Sequence, residues 1–374
     1  MKTESIESEL EKYFPKSVTA DWEKIATLEL GGKNPFENLS WRGKDDILFL
    51  PYYDSSKDAD LLFLKNFQLP AASISSPKIW YNLPAVKQIN SGDANASALD
   101  HLMKGADGVL FDLRGAADPD LNKLTHNIEW PHCYIGFYLH KTGDTLAALS
   151  KLIQERFDPV SIHGALFWES LPGTGEVKFY LNTNPNIKVL GLIIPSSSPA
   201  SEISDALLQG VKAIEEFYDN DLESVFSSVC FSLSADASFL EMVSKFKALR
   251  ILWFQVARAY GHSNYKPEDL LIHARVDDVV DARYAPHENM LRSTFAAMGA
   301  LVGGCGALTL EGNNEDPLFT RWARNVSSLL REESYFDKSA DPIAGSWALE
   351  SMTNEIARKA WEMFQKKWRE YAPS

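Results

Sequence analysis

Cysteine is scarce in this chain. Only Cys133, Cys230 and Cys305 occur, an odd number, far apart and each inside an apolar segment. That usage argues against a disulfide framework or a cysteine zinc site, and reads as buried free thiols in a reducing compartment. Positive charge is also short: 37 Lys and Arg face 51 Asp and Glu, a net charge of -14. Nucleic acid and anionic membranes are poor partners for such a chain. The acidic residues are spread out and form no tail, so their plain role is solubility. No apolar run reaches the ~20 residues of a membrane span, and the opening MKTESIESELEKYF lacks the apolar centre of a secretion signal. A cytoplasmic location is expected. Arginine is missing altogether from residues 157–249.

What the sequence does have is alternation. At 45% hydrophobic it can bury one large core or two ordinary ones. From about residue 78, short apolar runs alternate with helix-period segments. The runs are 78–83 (KIWYNL), 108–113 (GVLFDL), 133–139 (CYIGFYL), 161–167 (SIHGALF), 187–194 (IKVLGLII), 227–234 (SSVCFSLS), 270–275 (LLIHAR) and 306–311 (GALTLE). Each is apolar on both faces, as a buried parallel strand should be. Between them run stripes such as Phe239, Val243, Phe246, Leu249, Trp253, Val256 and Tyr260, with a Ser238-x-x-Glu241 capping box before it and Gly261 after it. Further stripes are Ile203, Leu207, Ile214 and Phe217; Leu291, Thr294, Met298 and Leu301; and Leu318, Trp322, Val326 and Leu329. Eight such strands predict an α/β (β/α)8 barrel of the TIM type over 78–374, with a doubly wound open sheet as the alternative. The fourth link, WESLPGTGEVKFYLNTNPN, looks too short and too rich in Gly, Pro and Asn for a full outer helix. Residues 1–77 form an N-terminal extension, with two short helical patterns and a β-element at 47–53. A final helix is expected near 349–371.

Three stretches resemble the adenosylcobalamin-dependent acyl-CoA mutase family, and within it the methylmalonyl-CoA mutase small-subunit branch. WEKIATLELGGKNPFENLSWRGKDDILFLPYYD is similar to that branch's opening arm. HENMLRSTFAAMGALVGGCGAL resembles its N-x-L-R-x-T helix before a double glycine. FTRWARNVSSLLREESYFDKSADPIAGSWALESMTNEIARKAW resembles its closing segment, with Ala344 in place of the first glycine of D-P-x-G-G-S. The likeness covers the arm and residues 230–365, and is poor from about 65 to 225. It implies a barrel whose arm embraces a large, cobalamin-carrying partner subunit.

Catalytic members of that family rearrange acyl-CoA thioesters through radicals. They hold the thioester carbonyl with a histidine in a Gly-Tyr-His-Met-Gln-Glu-Ala-Gly segment after the fifth strand. This chain has GLIIPSSSPA there (191–200). Aliphatic side chains cannot bond a carbonyl, and serine hydroxyls are weak donors beside an imidazole. The carboxylate-binding arginine would fall in the arginine-free stretch, where Lys178 and Lys188 lack a bidentate fork. SISSPKIWYNLPAVKQI stands where an Arg-Pro-Trp-Thr-Ile-Arg-type segment would be. No histidine sits in an Asp-x-His-x-x-Gly cobalamin signature, so the expectation is that this chain carries no cobalamin-binding domain and binds no cofactor itself.

Other constellations have plain readings. Ser196, Ser197 and Ser198 lack a neighbouring His or acid and a G-x-S-x-G elbow, so a loop and helix start is favoured over a nucleophile. Gly303-Gly304-Cys305-Gly306 follows a helix, the reverse of phosphate-loop order, and reads as a helix stop. His126 and His132 match no metal spacing. Arg114, His273, Arg275 and Glu311 fall at strand C-termini, the face where barrel enzymes keep their sites. They are the candidates for a live or relic anion pocket for CoA phosphates, against an ion-pair ring closing the barrel; Asp277 and Asp278 make a phosphate site less attractive. Tyr134, Phe137, Tyr138, Phe167 and Trp168 read as core, and any that point inward would plug the axial channel.

The expected function is therefore a non-catalytic small subunit of a heterodimeric isomerase of propionate metabolism. Its large subunit would bind adenosylcobalamin and interconvert methylmalonyl-CoA and succinyl-CoA; self-association of the isolated chain stays open. Two alternatives are the catalytic barrel half of an acyl-CoA mutase whose cobalamin domain is a separate chain, and an unrelated barrel using Arg114, His273 and Glu311.

Overall fold

The computed structural model describes residues 13, 18–54, 67, 77–87, 90–116, 119–140, 143–217, 221–276, 284–311 and 317–371. The arm contributes helices α1 (Thr19–Glu29) and α2 (Pro35–Leu39) and an antiparallel hairpin of β1 (Trp41–Arg42) and β2 (Leu48–Phe49). Trp22 of α1 stacks on Tyr52 at 5.1 Å and meets Phe36 edge-on at 5.3 Å, which gives this small unit its own apolar centre.

The barrel begins with one strand broken by a proline. Its first piece, β3 (Tyr81–Asn82), and its second, β4 (Ala85–Lys87), flank Leu83-Pro84. There follow β5 (Gly108–Asp112), β6 (Tyr134–Leu139), β7 (His163–Trp168), β8 (Ile187–Ile193), β9 (Val229–Ser234), β10 (Leu271–Val276) and β11 (Ala307–Leu310). All neighbours from β4 through β11 pair in parallel and in chain order, and β11 pairs back onto β3. Leu83 N donates to Leu308 O at 2.9 Å, and Leu110 N donates to Pro84 O at 3.0 Å. The two ends of the sheet are thus the two pieces of a single strand, and the barrel closes with eight strands. Pro84 has no N–H to extend the first ladder, so the partner changes at that residue.

The outer layer is α3 (Ser91–Met103), α4 (Leu121–Leu124), α5 (Gly143–Arg156), α6 (Thr174–Thr183), α7 (Pro199–Glu216), α8 (Leu222–Ser228), α9 (Phe239–Ala259), α10 (Pro286–Val302) and α11 (Pro317–Glu332). The last helix, α12 (Trp347–Tyr371), packs against α7 and α9. The fourth link thus does hold a helix, the ten-residue α6, despite its Gly- and Pro-rich start. The expected strand residues 227–228 belong instead to the end of α8.

Two helix expectations need correction, and a third holds. Glu241 does not close a capping box with Ser238; its Oε1 accepts from Lys44 N at 3.1 Å, and Ser238 N donates to Asp236. Leu291, Leu318 and Leu329 are exposed although they continue apolar stripes. Gly261 does end α9, at φ 86°.

α9 is buried from Glu241 to Trp253 on nearly every side, because α12 and the arm cover the face that an outer helix ordinarily leaves to water. Its cations are compensated one by one. Lys245 donates to Glu202 Oε2 at 2.5 Å and Ser234 O at 2.8 Å. Lys247 pairs with Glu350 at 2.6 Å and Asp341 at 2.8 Å. Arg250 donates to the carbonyls of Pro267, Leu270 and Gly304. Such pairs hold geometry more than they add stability, but breaking one strands a charge in a dry site. Lys245→Met is expected to destabilise the protein by about 3–5 kcal/mol through the orphaned Glu202. The double variant with Glu202→Leu should recover most of that loss in urea denaturation.

Candidate functional site

Inward-facing residues alternate along each strand, and here they fill the axis. Leu83, Leu110, Tyr134, Tyr138, Ala165, Phe167, Ile193, Cys230 and Ala307 form one apolar cluster inside the barrel, with Tyr81 and Leu271 against it. Tyr138 lies 5.7 Å from Phe167 and 6.2 Å from His273, and Phe167 lies 5.0 Å from His273, ring centre to ring centre. Towards the other end, Tyr81 and Tyr134 rings meet at 4.4 Å. Phe137 and Trp168 point the other way, into the helix layer. Gly191 of β8 leaves room for this filling: a Cβ there would sit 2.8 Å from the Phe167 ring and 2.5 Å from Leu166 O. Burial pushes the Tyr134 hydroxyl well above its ordinary pKa.

His273 is held between two hydroxyls. Its Nδ1 lies 2.8 Å from Ser232 Oγ, and its Nε2 lies 2.8 Å from Thr309 Oγ1. Thr309 Oγ1 donates to Leu83 O at 2.6 Å, so it accepts from Nε2–H. Ser232 then donates to the bare Nδ1, and the ring is a neutral link binding β9, β10 and β11 to the break in the first strand. Burial, helped by the Arg275 charge, brings its pKa down to about 3.

Arg114 stands above this plug at the C-terminal mouth. It forms a two-toothed contact with Asp112 (2.9 and 2.7 Å), reaches Glu169 at 3.2 Å, and lies 4.8 Å over the Tyr138 ring. The Arg114 hydrogen bonds and charge hold the Asp112 carboxyl below its usual pKa against the opposing effect of burial. Glu311 faces Lys87 at 3.6 Å. Arg275 is buried and donates to Ile194 O at 2.7 Å, tying β10 to the end of β8. Of the four sequence candidates, Arg114 and Glu311 therefore stand in ion pairs, while His273 and Arg275 bond inside the barrel wall. Asp277 and Asp278 lie outside the described residues. Lys188 is half-buried and donates to Ser227 O at 2.5 Å. Among the described residues, no three His, Cys, Asp or Glu side chains cluster as a metal site.

The end of β8 is where the resemblance implies a carbonyl-binding imidazole in catalytic members. Ile193 faces the apolar interior and Ile194 joins the outer core. Ser196 bonds Ser234 Oγ at 3.2 Å, while Ser198 donates to Asp45 of the arm hairpin. Asp45 also accepts from Ala200 N at 2.7 Å, so it caps the start of α7 from outside that helix. Lys44 pairs with Asp236, and Lys359 donates to Asp45 O. The hairpin turn is thus seated on the mouth. Sequence reasoning missed Asp45 because nothing local marks it; its partners lie 153 and 155 residues away.

With this geometry in hand, similarity to known proteins is informative. A methylmalonyl-CoA mutase family model matches residues 185–368. The methylmalonyl-CoA mutase small subunit of Porphyromonas gingivalis is 27% identical over 94% of this chain and 63% of its own length. That of Streptomyces virginiae is 35% identical over 45% of this chain and 28% of its own. This chain is a relative of the methylmalonyl-CoA mutase small subunits. The large subunit of the Porphyromonas gingivalis enzyme is similar too, at 26% identity over 44% of this chain and 24% of its own length. The chain spans less than two thirds of the length of each of these mutase relatives. The family match begins at β8 and runs into α12, so it includes the strand end that carries Ile193, Ile194 and the serines Ser196 to Ser198. Among the described residues, no helix is long and apolar enough to cross a membrane.

The neutral His273 has a pH signature. The unfolded imidazole takes up a proton below about pH 6.5, whereas the folded one resists until about 3. Folding stability from this residue is full above pH 6.5 and is lost on acidification, by about 1.4 kcal/mol per pH unit at most. His101, lowered to about 4 by burial and then by Arg324, acts in the same direction. His273→Gln should lower stability at pH 7 but flatten its fall between pH 6 and pH 4, read from urea midpoints.

Proposed function

We propose that this chain is the non-catalytic small subunit of a heterodimeric methylmalonyl-CoA mutase. The interconversion of methylmalonyl-CoA and succinyl-CoA would belong to a large subunit that binds adenosylcobalamin. One observation carries this reading: the axis along which a long thioester would thread is filled by Tyr134, Tyr138, Phe167 and His273. The similarity to proteins named small subunit, and to a large subunit from one of the same organisms, supports it.

Catalytic demands on the barrel mouth also go unmet by the residues present. A thioester carbonyl needs a positioned donor, and β8 ends in Ile193-Ile194-Pro195. A substrate carboxylate needs a free cation, and Arg114 already holds two carboxylates. His273 is locked between two hydroxyls inside the wall, and His140 lies 3.7 Å from Glu169. No step of the rearrangement is assigned to this chain.

Co-expression tests the assignment. Mutase turnover is expected only when a large subunit is present, with the two chains co-purifying at one to one. The isolated chain should bind neither cobalamin nor acyl-CoA in equilibrium dialysis. Turnover restored by a small cobalamin-binding chain alone would instead make this barrel the catalytic half, and would defeat the proposal.

A further inference from the structure

The outer faces of α10 and α11 carry apolar side chains that the barrel core does not take up. Leu291 and Phe295 on α10 are 62% and 49% exposed, and Leu329 on α11 is 53% exposed. On α11 the outward residues include Leu318, Arg321, Trp322, Asn325, Leu329 and Glu332. At 3.6 residues per turn these fall in one stripe about 100° wide. Arg321 and Glu332 sit near its two ends, roughly 16 Å apart along the axis. Both are exposed, and neither makes an ion pair among the described residues.

That order of charges is complementary to itself when reversed. We propose that this chain pairs with a second copy of itself through α11, the two helices packed antiparallel across a twofold axis. A twofold contact sets each residue against its symmetry mate's counterpart. An axis midway between Arg321 and Glu332 brings each arginine to the partner's Glu332. The parallel arrangement would oppose arginine to arginine and glutamate to glutamate, so charge selects the direction. Leu329 and the half-buried Trp322 lie between the two charged contacts and supply the dry centre. A specific interface buries on the order of 800 Å² per partner, more than one helix stripe covers. Leu291 and Phe295 on the neighbouring α10 extend the apolar area beyond that stripe.

This pairing does not depend on the small-subunit assignment; only the large-subunit arm of its test rests on that reading. Sedimentation equilibrium of the isolated full chain at micromolar concentration is expected to give a dimer. Arg321→Glu and Glu332→Arg should each weaken it about tenfold through like-charge contact, and the two together should restore it. Leu329→Glu should give a monomer with an unchanged circular dichroism spectrum and unchanged pairing with a large subunit. A monomeric wild type, or a dimer indifferent to these changes, would overturn the inference. So would failure of the double charge swap to restore association, or loss of large-subunit pairing in Leu329→Glu, which would assign the face to that subunit instead.

Discussion

Closing eight parallel strands fixes the width of the space inside them, and the side chains that alternate inward must fill that space or leave it for a ligand. In this chain they fill it. Large rings at Tyr134, Tyr138 and Phe167 are accommodated by the missing side chain at Gly191 and the small one at Ala165. The neutral state of His273 follows from the same packing, because a charged imidazole in that place would have neither water nor a carboxylate to answer it. The closure itself passes through Leu83-Pro84, whose carbonyls serve opposite edges: Leu83 O accepts from Thr309 and Pro84 O from Leu110. Interior and closure are therefore one hydrogen-bonded and packed unit.

A second constraint acts on the outside. α9 would be an ordinary amphipathic cover helix were its outer face not buried by α12 and by the arm hairpin. Burial turns Lys245, Lys247 and Arg250 from solvated charges into fixed contacts, each demanding an acid or a carbonyl from a different element. The hairpin joins this arrangement at the mouth, where Asp45 meets α7 and α12 and Lys44 meets Asp236 and Glu241. The mouth is thus tied down by polar contacts above a plug held by apolar ones.

Much of this was legible in the sequence, for a definite reason. Parallel strands buried on both faces show as continuous apolar runs, so their number and order could be read without knowing their partners. The inward phase could not be read: Tyr138 and Phe137 are adjacent and both aromatic, and only the register decides which one enters the axis. Helical stripes failed in the complementary way. Periodicity at Leu291 and Leu329 marks an apolar face but not what it meets, and that face lies on the outside. The Ser238–Glu241 box failed because a residue 197 positions away competes for Glu241. At the site, the missing imidazole at 191–200 was plain from the letters alone. The occupation of Arg114 by Asp112 and Glu169 required coordinates.

A barrel that serves a substrate must keep polar groups unpaired and a cavity unfilled, both of which lower stability. On the small-subunit reading this chain is relieved of both demands, and its interior positions are free to serve packing. The inward set is mostly of that character: hydrocarbon and rings, with Ser232, His273 and Thr309 bonded to one another, while the buried Tyr134 hydroxyl has no partner among the described residues. Helices α10 and α11 are among the elements that carry exposed apolar residues, where a protein surface can use them. The rigid plug then has a physical role of its own, because an interface on outer helices is only as well defined as the barrel that holds those helices in place.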